Sequence, residues 1–245
     1  MRIAAVSDLH IGLDPATDAF HHDPEAYGAF VDELLATHDR LVLLGDVITA
    51  DHAWAWGPRF ARAHLRRVLG RVPWLADRLV DPRVHYVHGN HDLVARDVLG
   101  AAERIVLGEN VRVMFVHGHQ YDPVARGALP LANAGTWVTG RMRAAGVPSV
   151  AQWFEDRDVA IKDGRFRGAE GPYARAADRL CAAQDVAAVV MGHTHAARLD
   201  ATVHGLSVNT GTCSCGRFEW VGVDTVARTV SVHRGNRVLH VGTLK

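Results

Sequence analysis

Five short segments place metal-ligating residue types directly after apolar runs: Asp8-Leu9-His10, Gly45-Asp46, Gly89-Asn90-His91-Asp92, His117-Gly118-His119 and Gly192-His193-Thr194-His195. Among them, two Asp, one Asn and four His offer carboxylate and amide oxygen and imidazole nitrogen, but no thiolate. That mixture suits Mn²⁺, Fe²⁺/Fe³⁺, Zn²⁺ or Co²⁺ better than a soft metal or an all-oxygen calcium site. Seven candidate ligands exceed what one ion with open positions needs. Two ions sharing a bridging carboxylate is the natural arithmetic, and such pairs typically lie roughly 3.5–4 Å apart.

The runs that precede these segments are what must position them. Residues 3–7, 41–44, 84–87, 111–116 and 186–191 are short, largely apolar and rich in β-branched types, as expected of buried strands. Ligands then sit where strands end and loops begin, the edge on which open α/β sheets build their sites. Glycines beside four of the five segments let the backbone turn sharply next to a ligand.

The ordered pattern D-x-H, G-D, G-N-H-D, H-G and G-H-x-H resembles that of the calcineurin-like metallophosphoesterases, and its span from Asp8 to His195 covers about four-fifths of the 245 residues. The resemblance implies an α/β fold, a four-layer αββα sandwich with a helical cap insertion. It implies that Asp8, His10 and His195 hold one metal, that Asn90, His117 and His193 hold the other, and that Asp46 bridges them. His91 is then no ligand but faces the substrate, protonating the leaving oxygen or stabilising the transferring phosphoryl group, and Asp92 orients it through a hydrogen bond. The implied reaction is hydrolysis of a phosphoester or pyrophosphate by a metal-activated water, with no covalent enzyme nucleophile. The cofactors expected are two divalent ions, manganese first, with iron, zinc or cobalt as alternatives.

Composition fits a soluble enzyme of one domain spanning residues 1–245. Hydrophobic content of 48% supports a substantial core, and a formal net charge of zero points to no nucleic-acid partner. No apolar run reaches membrane-span length, and Met1-Arg2-Ile3 leads straight into the first strand, which leaves no room for a cleavable signal. Three cysteines, Cys181, Cys213 and Cys215, do not make a disulfide framework, so a reducing cytoplasm is expected.

Two stretches could do more than cover the sheets. Residues 57–80 carry Arg59, Arg62, Arg66, Arg67, Arg71 and Arg78 against Asp77, with an apolar side of Phe60, Val68, Leu69, Trp74 and Leu75. They read as a sheet-covering helix with a solvated basic face, broken at Pro73; the competing reading, an interfacial helix, leaves peripheral contact with the inner face of a membrane open. Residues 121–180 read as the cap, with Arg141, Arg143 and His119 as candidate substrate contacts. After Thr202, short strands at 205–209, 217–223 and 229–234 finish the chain.

Within the family, this layout and the stretch Val208-Asn209-Thr210-Gly211-Thr212 look most like the UDP-2,3-diacylglucosamine hydrolase branch, which cleaves a pyrophosphate in a nucleotide-linked acylated sugar. That branch commonly carries Arg where His91 stands and Asp where His119 stands, so a relative with another substrate is also consistent. Phosphodiesters, phosphomonoesters and phosphoproteins use the same metal centre, and the motifs do not separate them. A rival of another class, a protein-binding scaffold that has lost its ligands, fits poorly with a complete ligand set.

Overall fold

The apolar runs pair as parallel strands because they are buried on both faces and so need no polar alternation. A computed structural model describes residues 1–14, 18–123, 137–138, 140–142, 145–147, 149, 153, 157, 160, 168 and 170–245. One sheet has six strands in the order β11-β10-β9-β1-β2-β3. Here β1 (Arg2–Val6), β2 (Arg40–Leu44) and β3 (Val84–Val87) run parallel, while β9 (Glu219–Asp224), β10 (Thr229–Arg234) and β11 (Arg237–Thr243) form an antiparallel extension. The other sheet has five strands in the order β4-β5-β6-β8-β7. Its parallel centre is β5 (Val113–Val116), β6 (Ala188–Met191) and β8 (Leu206–Asn209), flanked by antiparallel β4 (Arg104–Leu107) and β7 (Arg198–Ala201).

Alternate residues of each central strand enter different cores. Ile3, Ala5, Val42 and Leu44 meet Val113, Phe115, Ala188 and Val190 between the sheets. Ala4, Val6, Leu41 and Leu43 face outward into the core shared with α1 (Pro24–Thr37), α2 (Pro58–Leu69), α3 (Pro73–Leu79) and the short α4 (Ala95–Leu99). On the far side, Met114, Val116, Val189 and Met191 pack on Tyr173, Ala177 and Cys181 of α5 (Pro172–Gln184). The order is therefore helices, sheet, sheet, helices, the expected four layers, with each fully buried Val, Leu, Ile or Phe side chain contributing about 1.5–3 kcal/mol.

The basic segment 57–80 is two helices, α2 and α3, separated at Gly70–Val72, and its Leu65, Val68 and Leu75 are buried in the outer core. Arg62 and Arg78 of these helices pair with Asp97 and Asp32. Of the cap stretch 121–180, most lies outside the described residues. Its final nine positions belong to α5, which is part of the sheet-covering layer. Among the described residues, no helix is long and apolar enough to cross a membrane.

Candidate metal centre

All five motifs emerge from the C-terminal ends of parallel strands: β1, β2 and β3 in one sheet, β5 and β6 in the other. Pairing continues beyond the strands into the loops, with Asp8 N donating to Gly45 O, His10 N to Asp46 O and Ile11 N to Val47 O, each at 3.0 Å. A side chain joins the sheets where the two strand edges meet: His117 Nδ1 donates to Leu44 O at 2.8 Å.

Five site residues have left-handed backbones: Asp8 (φ 54°), His10 (52°), Asp46 (52°), His193 (67°) and His195 (57°). Such conformations cost of order 1–3 kcal/mol each for a residue with a Cβ, and they persist only where the surroundings over-determine them. For Asp8 the restraints are visible. Thr212 Oγ1 donates to its carbonyl at 2.9 Å, while Oδ2 accepts from Ser7 Oγ and from His193 N, the latter at 3.0 Å. Glycine is required beside the ligands for space as much as for conformation. A Cβ on Gly45 (φ 85°) would run into the His117 ring, and one on Gly89 into Asp46 Oδ1.

Two donor groups form around this edge. In one, Asp8 Oδ1 lies 3.2 Å from His195 Nε2, which is itself 3.2 Å from His10 Nε2. In the other, ligand atoms of Asp46, His117 and His193 lie within 4.8 Å of one another, with His117 Nε2 3.1 Å from Asp46 Oδ2. Asp46 connects them, since it also lies within 4.8 Å of His10 and His91 in a third grouping. Its Oδ1 accepts from His91 N at 2.8 Å, while Oδ2 lies 3.1 Å from His117 Nε2 and 3.9 Å from His91 Nε2.

The test of a metal centre is whether donor atoms are unspent. Asp8 Oδ1, Asn90 Oδ1 and His117 Nε2 are buried with no hydrogen-bond partner outside the donor groups themselves, although a buried polar atom left so normally costs about 1–3 kcal/mol. Three such atoms from three motifs at one sheet edge fit oxygen and imidazole ligation of a cation. Electrostatics agree. Burial alone would raise the Asp46 and Asp8 carboxyls, but His117 beside Asp46 and His195 beside Asp8 hold both well below the usual carboxylate range. Burial and the His91 charge push His10 well down, so it offers a neutral lone pair.

The family model for calcineurin-like phosphoesterases matches residues 1–197. The chain belongs to the calcineurin-like phosphoesterase family. It is thus a metallophosphoesterase, a hydrolase, and family and donor groups together imply divalent metal ions. Among solved structures, a dimetal phosphatase from Danio rerio is similar over 100% of this chain and 99% of its own, with a TM-score of 0.56 at 12% identity, which supports the shared fold. Similarity at lower TM-scores extends to the phosphoesterase Yfce from E. coli (0.46, 17% identity, 100% of both chains). It also extends to Vps29 complexed with Zn²⁺ from Entamoeba histolytica (0.48, 14% identity, 100% of both chains). No curated protein matches the sequence.

In this phosphoesterase the structure brings Asp8, His10, Asp46, His117, His193 and His195 into the donor groups, and Asn90 sits between Gly89 and His91 with its buried Oδ1 unspent. His91 stands at their margin, its ring edge-on to His10 at 4.8 Å and its Nε2 3.9 Å from Asp46 Oδ2. The orienting role expected of Asp92 belongs to another residue. Asp92 points under the loop, accepting from Gly89 N (2.5 Å), Val47 N (2.8 Å) and Tyr86 Oη (2.7 Å), so it ties the second and third motifs together. Asp51 is the carboxylate that pairs with His91 Nδ1, at 3.1–3.2 Å.

His119 packs its ring 5.5 Å from that of His117, and burial plus the His117 charge lower it to about 3. Arg141 donates through Nη2 to His52 O at 2.7 Å, on the turn that carries Asp51, and its buried Nε makes no hydrogen bond among the described residues. Arg143 lies outside the described residues.

Two carboxylates escaped the sequence reading as site residues, Asp51 and Asp122. The signal for them in the sequence is their place within five residues of a motif, a position that ordinary turn carboxylates also occupy. Asp122 is buried, with Oδ2 2.9 Å from His193 Nε2.

Proposed function

We propose that this phosphoesterase cleaves a phosphoester or diphosphate linkage with two divalent ions, one held by Asp8, His10 and His195, the other by Asn90, His117 and His193, with Asp46 shared. The observation that carries this reading is the convergence of unspent donor atoms from separate strand ends, Asp8 Oδ1, Asn90 Oδ1 and His117 Nε2. The ions, when bound, supply polarisation of the phosphoryl group and activation of water. Manganese is the metal we favour for this mixed set of carboxylates, amide and imidazoles, with iron, zinc or cobalt as the alternatives.

The chain's own residues do the rest. His117 commits Nδ1–H to Leu44 O and so presents Nε2. His91 Nδ1 lies 3.2 Å from Asp51 Oδ1, a contact that sets the ring's orientation and leaves Nε2 to face the leaving oxygen as its proton donor. The substrate class we favour is a nucleotide-linked diphosphate of the UDP-2,3-diacylglucosamine kind. What supports it is the surface beside His91: the turn holding Asp51 also carries the Arg141 guanidinium, which suits a second phosphate, and leads to Trp54 and Trp56, 68% and 52% exposed, which offer apolar area to an acylated substrate. Free thiols at all three cysteines accord with a cytoplasmic setting.

The test is a screen of the Mn²⁺-loaded protein against UDP-diacylglucosamine, bis-aryl phosphate, a cyclic nucleotide and a phosphopeptide. Turnover of the sugar diphosphate well above the others supports the substrate class. Preference for another of them replaces it while leaving the metal chemistry intact. Inactivity on all four contradicts the hydrolase reading of the site.

A further inference from the structure

The four histidines of the donor groups do not all present the same nitrogen. His10 and His195 approach each other through Nε2, and His117 spends Nδ1 on Leu44 O and keeps Nε2 for the cluster. His193 is turned the other way. Its Nε2 is 2.9 Å from Asp122 Oδ2, so the nitrogen left to face Asp46 and His117 is Nδ1. An ionised carboxylate accepts only, so the proton lies on Nε2 and the lone pair on Nδ1.

The surroundings make this pairing specific. Asp122 is 2% exposed, a burial that costs several kcal/mol for a carboxylate unless a donor meets it. The His193 backbone is pinned in its left-handed conformation by its N–H donating to Asp8 Oδ2 at 3.0 Å, and its ring lies 5.3 Å from that of His117 at 70°. With backbone and Nε2 both held, Nδ1 has little freedom to point anywhere else. Asp122 follows directly on the short 3₁₀ turn His119–Tyr121, with its N–H on His119 O at 3.2 Å, so its own position is set by the His117-Gly118-His119 motif.

We infer that Asp122 is a positioning residue for one of the two metal positions: it fixes the tautomer and ring angle of His193 so that Nδ1 ligates the ion shared with Asn90 and His117. The inference rests on the two-metal reading of the centre. Carboxylates that hold a ligand histidine typically account for about 10–100-fold in metal affinity, and that is the size of effect expected here.

Mn²⁺ titration of the metal-free protein, followed by electron paramagnetic resonance, reads the two positions separately from activity. Wild type should give a spin-coupled pair at two equivalents. Asp122→Ala should bind its first ion as wild type does and its second about 10–100-fold more weakly, yielding an uncoupled Mn²⁺ signal like that of His193→Ala. Asp122→Asn keeps an oxygen acceptor at the same place and should restore most of the second affinity, which a residue needed only for its negative charge would not allow. Circular dichroism melts of the metal-free variants establish that each is folded. If Asp122→Ala forms the coupled pair with wild-type affinities, or loses both ions equally, or is not rescued by Asp122→Asn, the inference is overturned. A wild-type protein that never forms a pair overturns the two-metal reading itself, a failure distinct from the others.

Discussion

Raising the pH of the metal-free protein from about 6.5 to about 9 should weaken its fold while strengthening its hold on divalent ions, and both changes trace to His117. The ring is fully buried, which alone would lower its pKa, but Asp46 at 3.1 Å and Asp8 overcome that and bring it from 6.5 up to about 9. A group whose folded pKa is raised contributes stability that is complete below its unfolded value and is lost as pH climbs through the folded one. The window is therefore 6.5 to about 9. The full contribution is at most about 3 kcal/mol, which for a chain of this size corresponds to a fall in Tm of up to roughly 6–12 °C. Over that window Asp8 and Asp46 are already ionised and His10 and His119 already neutral, since their shifts run away from it.

Ligation at Nε2 requires His117 to lose the same proton. The logarithm of the affinity for Mn²⁺ should then rise by about one per pH unit across the window, to a total of up to roughly 300-fold. Thermal melts of the metal-free protein and calorimetric titration with Mn²⁺ at a series of pH values measure the two limbs. A flat stability profile, or a stability slope that survives in His117→Ala, would refute the assignment of the proton to this residue.

His91→Ala should retain both ions but lose about 10²–10⁴ in kcat on a substrate with a poor leaving group, and much less on a nitrophenyl ester that departs unprotonated; loss of metal along with activity would instead make His91 a ligand. Gly45→Ala, with a Cβ aimed at the His117 ring from a backbone at φ 85°, should destabilise the protein by at least about 1–3 kcal/mol and lower metal content, measured by denaturant titration and elemental analysis. Arg141→Ala should raise KM for a large diphosphate substrate and leave that for a small aryl phosphate nearly unchanged, as expected for binding that ground and transition states share. Equal effects on the two would assign Arg141 to holding the 50–53 turn.

The central strands were legible because burial on both faces writes continuous apolar runs. Residues 41–44, 84–87 and 186–191 agree with β2, β3 and β6 to within two residues at either end. The strands β4, β7 and β11 were not legible: they lie at sheet edges, are half-exposed or more, and carry Arg104, Arg198 and Arg237 at their starts without a clean alternation. The donor residues were legible because their order along the chain follows the strand ends that deliver them. Their partners were not, because Asp51 and Asp122 acquire meaning only when a turn from one strand meets a histidine from another, 40 and 71 residues away. Asp92 shows the same limit from the other side. Adjacency to His91 suggested a hydrogen bond, but consecutive side chains on the loop diverge, and the carboxylate meets backbone donors of the neighbouring motif instead.

The central claim is a pair of ions joined through Asp46, and metal stoichiometry of the purified, Mn²⁺-loaded protein beside its Asp46→Ala variant tests it most directly. Because Asp46 lies within ligand reach of His117 and His193 on one side and of His10 on the other, its removal takes a ligand from each position at once. The expected result is two ions per wild-type chain by elemental analysis and a loss at both positions in the variant, with activity abolished. Two ions per chain retained by Asp46→Ala under matched loading, or a wild-type chain that takes up fewer than two, would contradict it.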